Sequence, residues 1–138
     1  MITAGQCDSF LLESLNGGVH APDDEYRIAL YSSAANLSPQ TTRYSSGGEI
    51  KAIGYVAGGA ELQNRRTGLV NGVAWLNWDN PTWTGTIAAR GALVYNASKD
   101  NRAVVVMDFG KEAISTDELW YVRMPPDGPQ ALVTLSRS

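Results

Sequence analysis

From Glu25 onward the chain runs in short alternations of apolar and polar residues, each closed by Gly, Pro, Asn, Asp or Ser. A period of two sends successive side chains to opposite faces of an extended backbone, so each run reads as a strand with one covered face. In EYRIALY (25–31), Tyr26, Ile28 and Leu30 share one face, while Arg27, Ala29 and Tyr31 share the other. IKAIGYV (50–56), AGGAELQN (57–64), GVAWLNW (72–78), TIAARGALVYN (86–96), NRAVVVMDF (101–109), ELWYVRM (118–124) and QALVTLS (130–136) continue the series. The polar loop ASKD (97–100) joins two of these runs as a hairpin, whereas DNPTWTG (79–85) reads as a break at Pro81. Lone Gly54 and Gly91 mark bulges or close backbone approaches. About eight strands with turn signals between them imply an all-β domain, a β-sandwich or a jelly roll.

One stretch departs from the alternation. CDSFLLESLNGG (7–18) reads as a short helix: Asp8 or Ser9 accepts from the free amides at its start, and Gly17-Gly18 stops it. Phe10, Leu11 and Leu15 form its apolar stripe and are candidate interface residues, packing on the domain or on a neighbouring copy. At 138 residues the chain is one domain, residues 1–138, with residues 1–18 as an N-terminal helical arm. Phe10, Leu11, Leu12 and Leu15 are more apolar surface than so short a helix hides on one sandwich edge. The segment Met1 to Asn16 is therefore expected to reach onto a neighbour, in a homo-oligomer expected to be a trimer, or onto a larger surface that the oligomer covers.

Composition removes several classes of function. The net charge is −3, and the densest basic stretch is Asn64-Arg65-Arg66, so a nucleic-acid face is not expected. No apolar run approaches the length of a membrane span, and the N-terminus lacks the pattern of a secretory signal. Asp108-Phe109-Gly110 matches the magnesium-holding triplet of protein kinases. The Gly-rich phosphate loop and the catalytic-loop histidine are missing, however, so the triplet reads as a strand end. One cysteine (Cys7) and one histidine (His20) make zinc improbable, both residues are expected to be dispensable, and no calcium-loop pattern occurs. Acids at Asp23-Asp24-Glu25, Asp108 with Glu112, and Asp117-Glu118 read as solvated turn residues rather than an opposed glycosidase pair. No catalytic, cofactor-binding or metal-binding residue is therefore assigned, and the chain is not expected to be an enzyme.

The four tryptophans, Trp75, Trp78, Trp83 and Trp120, either fill a core or stand at a subunit contact, where Trp is enriched. In a regular strand Trp75 and Trp78 face opposite ways, so at most one of them is core. Trp78 and Trp83 are the candidates for contact. On residues alone the chain is an acidic all-β domain of open function.

The order of YRIALYSSAANLSPQTTRYSSGGEIKAIGYVAGGAEL (26–62) and WTGTIAARGALVYNASKDNRAVVVMDFGK (83–111) resembles a family of small virion structural proteins of tailed bacteriophages. The resemblance runs from about Phe10 to Met124 and rests on the succession of several segments. Asn64-Arg65-Arg66 and PPDGP (125–129) depart from the pattern. The resemblance implies a multicopy virion component, assembled in the host cytoplasm, with no cofactor. A head decoration (cement) protein that binds the major capsid protein is the first expectation. A collar, head-fibre or tail component is the alternative, and a carbohydrate-binding module is the rival of another class.

Overall fold

The structure, a computed structural model, describes residues 1–136. In chain order its elements are β1 (Gly5–Gln6), α1 (Asp8–Leu15), β2 (Tyr26–Tyr31), β3 (Ala60–Glu61), β4 (Arg66–Val70) and β5 (Val73–Asn77). They continue with β6 (Thr82–Gly85), β7 (Ala88–Asn96), β8 (Arg102–Ile114), β9 (Glu118–Tyr121) and β10 (Val133–Ser136). A five-stranded sheet runs β1-β8-β7-β2-β3, a three-stranded sheet runs β10-β5-β4, and β6 pairs with β9. The fold is all-β and sandwich-like with one short N-terminal helix.

The long β7–β8 hairpin is the frame. Its turn residues Asp100 and Asn101 have φ of 57° and 58°, left-handed values that Asp and Asn tolerate better than most residues. β2 pairs with β7 along its whole length, from Tyr26 opposite Asn96 to Tyr31 opposite Gly91. Ile28, Leu30, Leu93, Val94 and Val104 are wholly buried there. Arg27 is the one residue of β2 that is not buried, so the alternation of EYRIALY does not leave a half-covered strand. Tyr26 instead meets Trp78 from the other layer, ring centroids 5.4 Å apart, which closes the sandwich over β2.

Several expectations are corrected. Residues 50–56 form turns rather than a strand. The backbone there is pressed against β6: a side chain on Gly85 would meet the Ile53 carbonyl oxygen at 2.0 Å, and one on Gly54 the Thr84 oxygen at 2.2 Å. The break at Pro81 is shorter than expected: residues 78–81 leave the strand, but Thr82–Gly85 form β6, which Pro81 precedes at no cost of a ladder bond. β4, in the segment NRRTGLV, lacks clear alternation and is strand because β5 pairs with it. Asp108-Phe109-Gly110 does not end a strand. It lies inside β8, where Gly110 takes φ 78° and its N–H donates to Asp108 Oδ1 at 2.9 Å. Gly91 is a close approach beside a bulge: the register shifts between Ala89 and Gly91, and a Cβ on Gly91 would meet Met107 and Ile2.

The N-terminal arm is also corrected. β1 pairs with β8, Cys7 N–H donates to Val104 O at 2.9 Å, and Thr3 N–H donates to Leu37 O at 2.8 Å. Asp8 does not cap α1; the cap is Cys7, without a side-chain bond, and Asp8 N–H donates to Pro39 O. Ile2, Cys7 and Phe10 are buried in the common core. At about 1.5–3 kcal/mol for each large apolar side chain, this burial is a sizeable part of a small domain's stability. Deleting residues 1–16 is expected to abolish a cooperative thermal transition, read by circular dichroism. A truncated chain that melts like the intact one would contradict this integration.

Candidate functional site

A cleft of about 460 Å³ opens between α1 with the turn after it and the three-stranded sheet. Strand pairing builds one wall: Leu69 lies opposite Ala74, Thr67 opposite Leu76, and β10 adds Val133 beside Leu76 and Leu135 beside Ala74. The far wall carries Glu13, Ser14 and His20. Arg65 and Arg66 separate at the mouth of β4. Arg66 turns away and grips Asp127 through Nε and Nη2, at 2.9 and 3.2 Å, and Asp79 through Nη1 at 2.7 Å. It thereby ties Asn64-Arg65-Arg66 to the PPDGP segment. Arg65 lines the cleft instead, and its Nε is covered without a hydrogen-bond partner. Burial and the charge of Asp24 push the Tyr26 hydroxyl up to about 12 against the opposing pull of Arg65.

Behind the helix wall lies a polar chain assembled from distant parts of the sequence. Asn96 is buried; its Oδ1 accepts from Ser98 N–H, which fixes the amide, and its Nδ2 donates to Asp24 at 2.8 Å and to His20 Nδ1 at 3.0 Å. With Nδ1 accepting, His20 carries its proton on Nε2 and donates it to Glu13 Oε1 at 2.7 Å. Glu13 Oε2 receives Arg102 at 2.7 Å, and Lys99 Nζ reaches Asp24 at 2.8 Å. The His20 ring packs between Phe10, at 5.0 Å, and Tyr26, at 6.4 Å. Burial raises the Asp24 carboxyl, but hydrogen bonds from Asn96, Lys99 and the Ala21 amide overcome it and hold the group at about 2.

This arrangement holds structure rather than supplying a reactive group. Both His20 nitrogens are occupied, which leaves neither free as a general base. Cys7 is fully buried, and burial, with Asp8 and Glu13 beside it, pushes its thiol up to about 12, the opposite of an activated nucleophile. Among the described residues, no group of three or more His, Cys, Asp or Glu side chains is placed to hold a metal ion. Cys7 lies wholly buried, and the His20 ring supplies one bond to Glu13, which Arg102 also holds, and one to Asn96, which Asp24 also holds. Asp24 is a bridging residue rather than a solvated turn acid.

The interface candidates divide. Phe10, Trp78 and Trp83 are buried within the chain itself and are corrected to core residues: Trp78 meets Tyr26, and Trp83 packs 5.5 Å from Trp120. Trp78, just past the end of β5, is buried against Tyr26, whereas Trp75 within β5 is half-buried and lines the cleft. Leu11 and Leu15 remain exposed, Leu15 by 85%.

Alternation alone does not single out the other exposed apolar positions. Ile53 and Val56 stand on the turns before β3, 80% and 75% exposed, where the Ile53 carbonyl accepts from Thr86 N–H just after β6. Ile114 and Leu119 flank the β8–β9 turn, 64% and 61% exposed. No protein-family model, curated protein or solved structure matches the chain.

The low Asp24 value has a pH consequence. A carboxyl held below its unfolded value, about 3.9, contributes stability above that pH and loses it as pH falls toward about 2. Denaturant midpoints should therefore decline between roughly pH 4 and pH 2, and Asp24→Asn should flatten that decline. Parallel declines in both proteins would remove Asp24 from the acid response.

Proposed function

We propose that this chain is a structural component of a tailed-bacteriophage virion, a decoration protein that binds neighbouring copies of the major capsid protein on the head. The observation that carries the reading, beside the sequence resemblance, is the exposed aliphatic pair Ile53 and Val56 on a locked backbone. Gly54 and Gly85 touch backbone to backbone, Thr86 N–H donates to Ile53 O at 3.1 Å, and Gly58 N–H donates to Glu49 at 2.8 Å. Glu49 in turn accepts from the Tyr44 and Tyr55 hydroxyls, and Tyr95 stacks on Tyr44 at 4.7 Å. Aliphatic side chains presented this way suit a partner surface, because the turn loses little freedom when it is covered.

A lattice multiplies such contacts. Each copy adds a modest contact area, and simultaneous engagement of neighbours turns weak single contacts into strong occupancy. The carbohydrate-module rival has less to draw on. Trp78, Trp83 and Trp120 are buried, and Trp75 lies flat over Gly68, whose missing side chain makes room for the indole.

Purified protein carrying Ile53→Asp and Val56→Asp is expected to fold normally and to bind virions of the encoding phage at least roughly tenfold more weakly, as aspartate desolvation opposes docking. Antibody labelling in electron micrographs is expected to decorate the head. Label confined to the collar or tail would overturn the decoration role, and absence of the protein from virions would overturn the virion reading.

A further inference from the structure

We infer that the cleft beside α1 is the docking site for a second copy of this chain, and that the β8–β9 turn of that copy fills it. The inference is independent of the virion reading, because it rests on two surfaces of the chain that complement each other in exposed aliphatic side chains and in charge.

The cleft offers an aliphatic floor, with Leu69 73% exposed and Leu135 and Ala74 beside it, and a cation at its edge. Arg65 is that cation. Arg27, Arg66, Arg90, Lys99 and Arg102 each have a carboxylate within salt-bridge distance, whereas no carboxylate of the described residues lies that close to Arg65. Its Nε is covered and unpaired, a state that costs free energy until the guanidinium gains a partner. Glu13, the acid on the opposite wall, is already held by His20 and Arg102. The cleft therefore suits a segment that brings aliphatic side chains and its own carboxylate.

The turn after β8 has that composition. Ile114 and Leu119 are exposed on either side of the exposed acids Asp117 and Glu118. The turn is also held in shape. Ser115 is buried, and its hydroxyl donates to Gly85 O at 2.9 Å and accepts from Ile87 N–H at 3.3 Å. Asp117 N–H donates to Thr86 Oγ1 at 3.1 Å, and Asp117 sits at φ 48°. A pre-shaped turn gives up little freedom on docking.

Intramolecular docking is excluded by distance. Arg102, at the start of β8, binds Glu13 on the cleft wall, and Ile114 is the last residue of that 13-residue strand. Arg102 pairs with Asn96 and Ile114 with Ala88, so the nine residues of β7 hold cleft and turn roughly 26 Å apart at about 3.3 Å per residue. Each copy thus carries a receptor at one end and its complement at the other. The contact saturates when copies lie antiparallel in a reciprocal pair or close into a ring.

Sedimentation and native mass measurements test this on the full chain. The intact protein is expected to associate, and Arg65→Glu is expected to weaken association by roughly tenfold or more, as is Asp117→Lys with Glu118→Lys, through like-charge juxtaposition. Combining the three substitutions in one chain restores the pairing with its signs exchanged and is expected to recover association. Leu119→Asp, at an exposed position of β9 beside the turn, should weaken association without lowering thermal stability, which separates loss of docking from loss of folding. A monomeric intact chain, association unchanged by all these variants, or failure of the exchanged chain to recover while folded would overturn the inference.

Discussion

Everything placed in this protein hangs on the ladder between β7 and β8. The two strands pair from Asn96–Arg102 at the turn to Ala88–Ile114 at the far end, and each pair fixes what attaches next to it. On the β7 side the ladder holds β2 and through it the buried tyrosine and tryptophan contacts that join the layers. On the β8 side it holds β1 and the amide of Cys7, and so sets where α1 begins. The turn end supplies Asn96, Lys99 and Arg102 to the polar chain behind the cleft, while the far end delivers the acidic turn at Asp117. One hairpin therefore sets both the position of the candidate site and its distance from the complementary surface.

The polar chain behind the cleft is a consequence of that placement. Glu13, His20, Asp24, Asn96, Lys99 and Arg102 come from three separate segments, and each charged member meets an opposite charge or a fixed amide. Such a cluster is costly to bury in part and stable when every member is satisfied. It pins the C-terminal half of α1 and the Gly17-Gly18 turn against the large sheet. The cleft lies between the helix and the three-stranded sheet.

Local periodicity made much of the fold legible. β2, β5, β7, β8, β9 and β10 all lie in runs whose alternation marks them as strands, and the helix sits where Phe10 and Leu11 mark it. What escaped was decided by partners far along the chain. Residues 50–56 alternate well, yet after the Ile50 N–H donates to Leu30 O they bend into turns, pressed backbone to backbone against β6 through Gly54 and Gly85. β4 alternates poorly and is strand because β5 lies beside it. The apolar side chains of the N-terminal stretch suggested an arm, but Ile2, Cys7 and Phe10 point into the core while Leu11, Leu12 and Leu15 point out. The site was less legible still. His20 and Asp24 are read as idle until Asn96 joins them, and Arg65 stands out from Arg66 only once the acids around each are placed.

The central claim is that the first sixteen residues and the β7–β8 hairpin form one cooperative unit. Native-state hydrogen exchange measures this residue by residue. The account predicts that the Cys7 amide, bonded to Val104 O, opens with the same free energy as the amides of Val94 and Val106. A Cys7 amide that exchanges many-fold faster than those, through a separate local opening, would mean that the N-terminal segment rests on a finished domain and would contradict the account.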